Sequence, residues 1–150
     1  MGETVAILGA GKMGEALLSG LLRSGRPAAE LLFTERHEDR AAALTAEYGV
    51  AAVTATEAAK RADTLLLAVK PQEMNALLDE LAGVVTPETL VITIAAGITA
   101  ATIEQRLAEG TPVVRVMSNT PALVDEAMSA ISPGEHATGD HLARTEALLS

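Results

Sequence analysis

Residues 4–14 read TVAILGAGKMG, a short apolar, β-prone run that leads into three glycines, Gly9, Gly11 and Gly14. Beyond the glycines, leucines at positions 17, 18, 21 and 22 recur at the spacing of one helix face. A strand, a glycine turn and a helix in this order are the context in which Gly-x-Gly-x-x-Gly predicts a dinucleotide site. The alternative is a tight strand-to-helix turn that holds no ligand.

Each glycine has its own predicted role in such a turn. Gly9 permits the sharp change of direction, and Gly11 lets the backbone come close to a pyrophosphate. Gly14 lets the helix pack against the strand, and the free N–H groups at the helix N-terminus attract the anion. Glu35 lies 21 residues beyond Gly14, which is the spacing of the acidic residue that binds a ribose in these sites.

The composition disfavours several classes of function. The chain has 150 residues, a net charge of −9 and only two aromatic residues, Phe33 and Tyr48. Nucleic-acid binding uses cations for phosphates and rings for bases, so both features argue against it. The absence of cysteine excludes disulfides, thiolate metal sites and a cysteine nucleophile. The three histidines are scattered along the chain without partners at metal-ligand spacing, so no metal site is predicted.

The hydropathy pattern predicts no membrane segment. The longest apolar run, residues 90–98, is too short to span a bilayer and is interrupted by Thr93 and Gly97. The chain starts with a strand that follows Glu3, without a basic leader region. We therefore expect a cytoplasmic protein without a signal peptide.

Apolar runs alternate with amphipathic segments along the whole chain. After the first strand, further strands are predicted at residues 31–34, 50–53, 64–69, 90–95, 113–117 and 127–131. Helices are predicted between them, for example at residues 39–48 and 71–81, and a last one at residues 140–150. This alternation predicts a single α/β domain, residues 1–150, with a doubly wound, mainly parallel, Rossmann-like sheet.

In a sheet of this kind the ligand lies at the carboxyl ends of the strands, so the residues just after each strand matter most. Glu35 stands where a carboxylate accepts from a ribose 2′-OH, which favours NAD, whereas Arg36, His37 and Arg40 could hold a 2′-phosphate, which favours NADP. Glu35 and Arg36 could also form an ordinary surface pair. Lys70 lies either near the cofactor or in solvent beside a helix start.

Four motifs together resemble the cofactor domain of the Δ1-pyrroline-5-carboxylate reductases. They are ILGAGKMGEA at 7–16, AVKP at 68–71, AAGIT at 95–99 and RVMSNTPALV at 115–124. The first motif is common to many dehydrogenases, and the combination of the other three is more specific. Members of the family usually carry proline where this chain has Ser118, a difference that removes no functional group.

The resemblance implies NAD(P)H-dependent reduction of a cyclic imine to L-proline, with hydride passing directly from the nicotinamide. By position, it assigns the pyrophosphate to the glycine turn, the adenosine ribose to residues 35–37, and the nicotinamide ribose and ring to two later strand ends. The candidate cofactor-binding residues are Gly9, Ala10, Gly11, Lys12, Met13, Gly14, Glu35, Arg36, His37, Ala68, Val69, Lys70, Pro71, Ala95, Ala96, Gly97, Asn119 and Thr120.

The resemblance also implies parts that this sequence does not contain. Members of the family continue into a helical domain that forms the dimer and binds the imine, so no catalytic residue is assigned here. We expect a chain that ends before the last strand and that domain, binds NADP(H) or NAD(H), and is inactive alone. The alternatives are another oxidoreductase of the same superfamily, of the F420-dependent or β-hydroxyacid type, or a nucleotide-sensing module without catalysis.

Overall fold

The computed structural model describes residues 4–9, 11–94, 98–117, 130–133 and 137–149. The strands in these ranges are β1 Val5–Leu8, β2 Leu31–Thr34, β3 Ala51–Ala52, β4 Thr64–Leu67, β5 Leu90–Thr93, β6 Val113–Met117 and β7 Ala130–Pro133. The helices are α1 Lys12–Arg23, α2 Glu38–Tyr48, α3 Ala55–Arg61, α4 Met74–Leu81, α5 Ala100–Arg106 and α6 Gly139–Leu149. A 3-10 turn, Pro71–Glu73, leads directly into α4.

The strands form one sheet in the order β3-β2-β1-β4-β5-β6-β7. All neighbours are parallel except β7, which runs antiparallel to β6. Val5 in β1 pairs with Leu31 on one side and with Thr64 on the other, so the direction of winding reverses at β1. The structure therefore confirms the predicted doubly wound, mainly parallel α/β sheet.

The sheet is buried on both faces because its strands are continuous apolar runs. Alternate side chains of β1 point to opposite faces: Val5 and Ile7 join one core, and Ala6 and Leu8 join the other. Helices α1, α2 and α6 cover the first face, and α3, α4 and α5 cover the second. The apolar stripe of α1, for example, consists of Leu17, Leu18 and Leu21.

Local sequence signals set several helix ends. The hydroxyl of Thr54 accepts a hydrogen bond from the N–H of Glu57 at 3.2 Å, which caps α3. Thr99 caps α5 in the same way, through the N–H of Thr102 at 3.1 Å. Gly49 ends α2 in the left-handed conformation, with φ of 72°.

The chain after β6 differs from the sequence prediction. We predicted a strand at residues 127–131, but the described strand is Ala130–Pro133, and residues 127–129 lie outside the described part. As an edge strand β7 tolerates Pro133, which lacks a donor. Leu142 of α6 packs, partly buried, against the α1 side of the sheet.

None of the helices in the described ranges is both long enough and apolar enough to cross a membrane.

Candidate functional site

The turn after β1 requires glycine at its first position. Gly9 has a φ of 97°, in the left-handed region. A Cβ atom on Gly9 would lie 2.6 Å from Cγ1 of Val69, which follows β4. The N–H of Gly9 donates to Oγ1 of Thr34 at the end of β2, at 2.9 Å. The turn is thus packed between the ends of both neighbouring strands.

The other two glycines face opposite surroundings. A Cβ on Gly14 would lie 2.1 Å from the carbonyl oxygen of Gly9, so the helix can approach the strand this closely only with glycine there. A Cβ on Gly11 would meet no atom of the described residues within 4 Å. The close contact at Gly14 agrees with its predicted role in packing the helix against the strand.

The N-terminus of α1 is available to an anion. Gly11 is its N-cap residue, and no side chain in the described part of the chain caps the helix there. The first-turn N–H groups of a helix have no intrahelical partner, and they carry the positive end of the helix dipole. This is a fitting environment for a pyrophosphate.

The parallel sheet brings together, at one edge, those predicted segments that lie among the described residues. Because β1 lies between β2 and β4, residues 35–37 and 68–71 end on either side of the glycine turn. Six of the predicted site residues cannot be placed, since they lie outside the described residues; these are Ala10, Ala95, Ala96, Gly97, Asn119 and Thr120. Met13 belongs to α1, but its side chain is not among those that the structure describes.

Glu35 is a largely buried polar side chain of this edge, with only 10% of its side chain exposed. Its carboxylate accepts hydrogen bonds from the backbone N–H and Nδ1 of His37, both at 3.1 Å, and lies 3.2 Å from Nε of Arg40. Burial opposes ionisation, but the hydrogen bonds from His37 and the charges of His37 and Arg40 outweigh it, so the pKa of Glu35 is lowered. Glu35 is therefore an ionised acceptor at neutral pH.

Arg40 connects Glu35 to a second carboxylate, which the sequence reasoning did not identify. Its guanidinium lies 2.9 Å from Oε1 of Glu15 on α1. The hydroxyl of Tyr48, at the end of α2, donates to Oε2 of the same carboxylate at 2.8 Å. These hydrogen bonds, from Tyr48 first and then from Arg40, lower the pKa of Glu15, and the bond to Glu15 raises the pKa of Tyr48.

Arg36 reaches across the edge to the segment after β4. Its guanidinium pairs with Oε2 of Glu73 at 2.6 Å, and Oε1 of Glu73 accepts from the backbone N–H of Lys70 at 3.3 Å. The side chain of Lys70 is exposed, which agrees with the solvent alternative. Pro71 starts the 3-10 turn, and Lys70 and Glu73 have the spacing of a capping box. This spacing is a sequence signal that could have identified Glu73 as part of the segment after β4.

A groove of about 360 Å³ lies at the opposite end of the sheet, before β4, among residues such as Lys60, Arg61 and Asp63. Ligands of doubly wound sheets bind at the carboxyl ends of the strands, so we place the candidate site at the glycine turn and not in this groove. The described residues contain no group of three or more acidic or histidine side chains arranged for a metal ion.

A strand, a glycine turn, an uncapped helix N-terminus and a carboxylate after β2 define a dinucleotide-binding domain of the Rossmann type. Comparison with known families agrees: residues 4–97 match the family described as NADP oxidoreductase, coenzyme F420-dependent. Since the match covers more than half of the 150 residues, the chain belongs to this family.

Individual relatives carry a more specific name. The chain is 40% identical to the pyrroline-5-carboxylate reductase of Mycobacterium tuberculosis, over 97% of this chain and 51% of that protein. It is 42% identical to the enzyme of that name from Methanosarcina acetivorans, over 93% of this chain and 53% of the relative. The chain therefore spans about half the length of the curated relatives that it matches.

A solved structure gives the same result. The pyrroline-5-carboxylate reductase of Coxiella burnetii superposes with a TM-score of 0.89 and 26% identity, over 98% of this chain and 55% of that one. The resemblance that was inferred from four sequence motifs is thus confirmed, and so is the fold.

Proposed function

We propose that this chain is the cofactor-binding part of a pyrroline-5-carboxylate reductase, which uses NAD(P)H to reduce 1-pyrroline-5-carboxylate to L-proline. The observation that carries the proposal is the glycine turn. Gly14 packs on the carbonyl of Gly9, whereas no described atom would lie within 4 Å of a Cβ on Gly11, the N-cap of a helix that no described side chain caps. The identity of 40% to a reductase of that name supports the substrate.

The residues of this edge would divide the cofactor between them. The backbone at Gly9, Gly11 and the start of α1 would hold the pyrophosphate, Glu35 the adenosine ribose, and Arg36 the 2′-phosphate that NADPH carries on this ribose. Residues 68–71 and 95–97 would flank the nicotinamide ribose and ring, with residues 119 and 120 toward the substrate. When bound, NAD(P)H supplies a hydride; the protein binds it, orients it and excludes water.

The complete reaction would need more protein than these 150 residues. In the proposed enzyme, a helical domain following the cofactor domain binds the imine carboxylate and forms a homodimer or larger homo-oligomer. The enzyme acts in the cytoplasm on a small molecule, with neither nucleic acid nor membrane as a partner.

Two measurements on this chain test the proposal. Titration with NADPH and NADH, followed by nicotinamide fluorescence, is expected to give saturable binding, with NADPH at least as tight as NADH. Addition of the imine to the NADPH complex is expected to cause no loss of nicotinamide absorbance. Failure to bind either dinucleotide would refute a cofactor domain, and imine-dependent oxidation by this chain would refute the need for a second domain.

A second candidate follows from the description of the family, which names coenzyme F420 as the partner of NADP. In that case a hydride would pass between a reduced deazaflavin and NADP, and no imine would be involved. Substrate assays on a chain extended to the length of its relatives separate the two functions, because only one of the two substrates is expected to support turnover.

A further inference from the structure

The ion pair between Arg36 and Glu73 connects the two loops that flank the glycine turn. Arg36 follows β2 and Glu73 follows β4, and β1 lies between these strands. The strand ends are therefore about 10 Å apart, two strand spacings, and the long arginine side chain crosses that distance. The pair spans the place in the sheet where the glycine turn emerges.

The two partners are held to different degrees. Glu73 is anchored, because its Oε1 accepts from the N–H of Lys70 and only 33% of its side chain is exposed. The side chain of Arg36 is 78% exposed and ends on Oε2 of Glu73. The nearby Arg40 is held by both Glu15 and Glu35. Arg36 is thus the cation that can leave its partner at lower cost.

We propose that Glu73 is a specificity-determining residue of the cofactor site, because it competes with a 2′-phosphate for Arg36. The inference rests on the proposed function, that the glycine turn binds NAD(P)H. An arginine after the second strand is the group that accommodates a 2′-phosphate in these sheets. Binding of NADPH then requires Arg36 to exchange Glu73 for the phosphate, whereas NADH leaves the ion pair in place.

The expected effect is modest because the pair is largely solvent-exposed. Exposed ion pairs contribute little, so removal of the competing carboxylate should raise the NADPH affinity by roughly two- to fivefold. The NADH affinity should change by less than about 1.5-fold, since no group of NADH takes Arg36 from Glu73.

The test is the variant Glu73→Gln. Glutamine retains an oxygen that accepts from the N–H of Lys70, so the turn keeps its hydrogen bond while the charge is lost. Dissociation constants are measured by fluorescence for NADPH and NADH, and by calorimetry for adenosine 2′,5′-bisphosphate and ADP. A gain confined to the two 2′-phosphorylated ligands is the expected result.

Two further variants control the experiment. Glu57→Gln removes a comparable exposed carboxylate, paired with Arg61 at 2.8 Å on α3, and should leave all four affinities unchanged. In the double variant Arg36→Ala with Glu73→Gln, the gain for 2′-phosphorylated ligands should disappear, because the cation that receives the phosphate is gone.

Unchanged affinities in Glu73→Gln, or equal gains for NADPH and NADH, would overturn the inference while the cofactor site itself stands. If the wild-type chain bound neither dinucleotide, the proposed function would fail first, and the inference with it. The wild-type titrations thus separate the two failures.

Discussion

At the scale of single residues, two glycines of the turn have different roles. Gly14 allows close packing, and Gly11 leaves room for a ligand. Gly14 has no room for a methyl group because the carbonyl oxygen of Gly9 occupies it, at 2.1 Å from an ideal Cβ. At Gly11, three residues earlier, a Cβ would meet none of the described atoms within 4 Å. The same substitution at the two positions should therefore have different consequences.

We predict that Gly14→Ala destabilises the fold and that Gly11→Ala mainly weakens cofactor binding. In an ordinary helix Gly-to-Ala stabilises by about 1 kcal/mol, but the clash at Gly14 should reverse the sign and cost about 1–3 kcal/mol. At Gly11 a poorer N-cap costs less, while the methyl group occupies the space of the pyrophosphate. Thermal unfolding and NADPH titration of both variants measure the two effects. Equal losses of stability would contradict this division.

The candidate site could be predicted from the sequence only as far as local patterns extend. The positions of Glu35 and Arg36 after β2 followed from spacing along the chain. Their partners Glu73 and Glu15 did not, because these contacts depend on which strands become neighbours in the sheet and on how α1 and α2 lie against each other.

At the scale of elements, one carboxylate ties α1 to α2. Glu15 on α1 accepts from Arg40 in the first half of α2 and from Tyr48 at its end. The hydrogen bond to Glu15 raises the pKa of Tyr48, because ionisation of the phenol would place two negative charges together. Tyr48 is the only tyrosine and the chain has no tryptophan, so its ionisation can be followed without interference.

We predict that Tyr48 remains protonated at pH values where a free tyrosine ionises, near 10. Because its pKa is raised in the folded state, the stabilisation is complete below about pH 10 and is lost as the pH rises further. An ultraviolet absorbance titration of tyrosinate measures this. In Glu15→Gln the titration should move toward the ordinary value; an unchanged curve would contradict the hydrogen bond.

The pKa of Glu15, the carboxylate in the same contact, shifts in the opposite direction from that of Tyr48. The folded-state pKa of Glu15 is lowered from its ordinary value of 4.5, by the hydrogen bonds from Tyr48 and Arg40. Its contribution to stability is therefore present above about pH 4.5 and is lost as the pH falls below it. Urea unfolding at pH 7 and at pH 3 should show a smaller difference for Glu15→Gln than for the wild-type chain.

Most elements could be predicted because their signals are local. The second strand matched at both ends, and the caps at Thr54 and Thr99 formed as their spacing indicated. The segment Ala130–Pro133 was misjudged, since Pro133 is typical of a turn and only pairing with β6 makes it a strand. Antiparallel edge pairing of this kind leaves little trace in the sequence.

At the scale of the whole molecule, stability depends on two aliphatic cores separated by one sheet. Leu66 in β4 is fully buried in the core on the α1 side. Leu22 on α1 lies at the margin of the same core and is only partly buried. Replacement by alanine removes the same atoms from both leucines, at the centre of the core for Leu66 and at its margin for Leu22.

We predict that Leu66→Ala costs about 2–5 kcal/mol, because a central cavity cannot collapse, and that Leu22→Ala costs less than half as much. Alanine also suits a helix at least as well as leucine, which reduces the loss at Leu22. Urea unfolding with an unchanged m-value measures both. Equal shifts of the midpoint would show that the sheet is not packed as described.

The position of β1 in the sheet also affects how the protein is made. β1 pairs with β2 on one edge and with β4 on the other, and β4 is synthesised later than β2. The paired residues Leu8 and Leu67 are 59 positions apart. At ribosomal rates of about 5–20 residues per second, that edge of the nascent chain stays open for roughly 3 to 12 s. An apolar strand with free backbone groups is a target for aggregation and for chaperones during this interval. Slow translation between codons 35 and 63 would lengthen it.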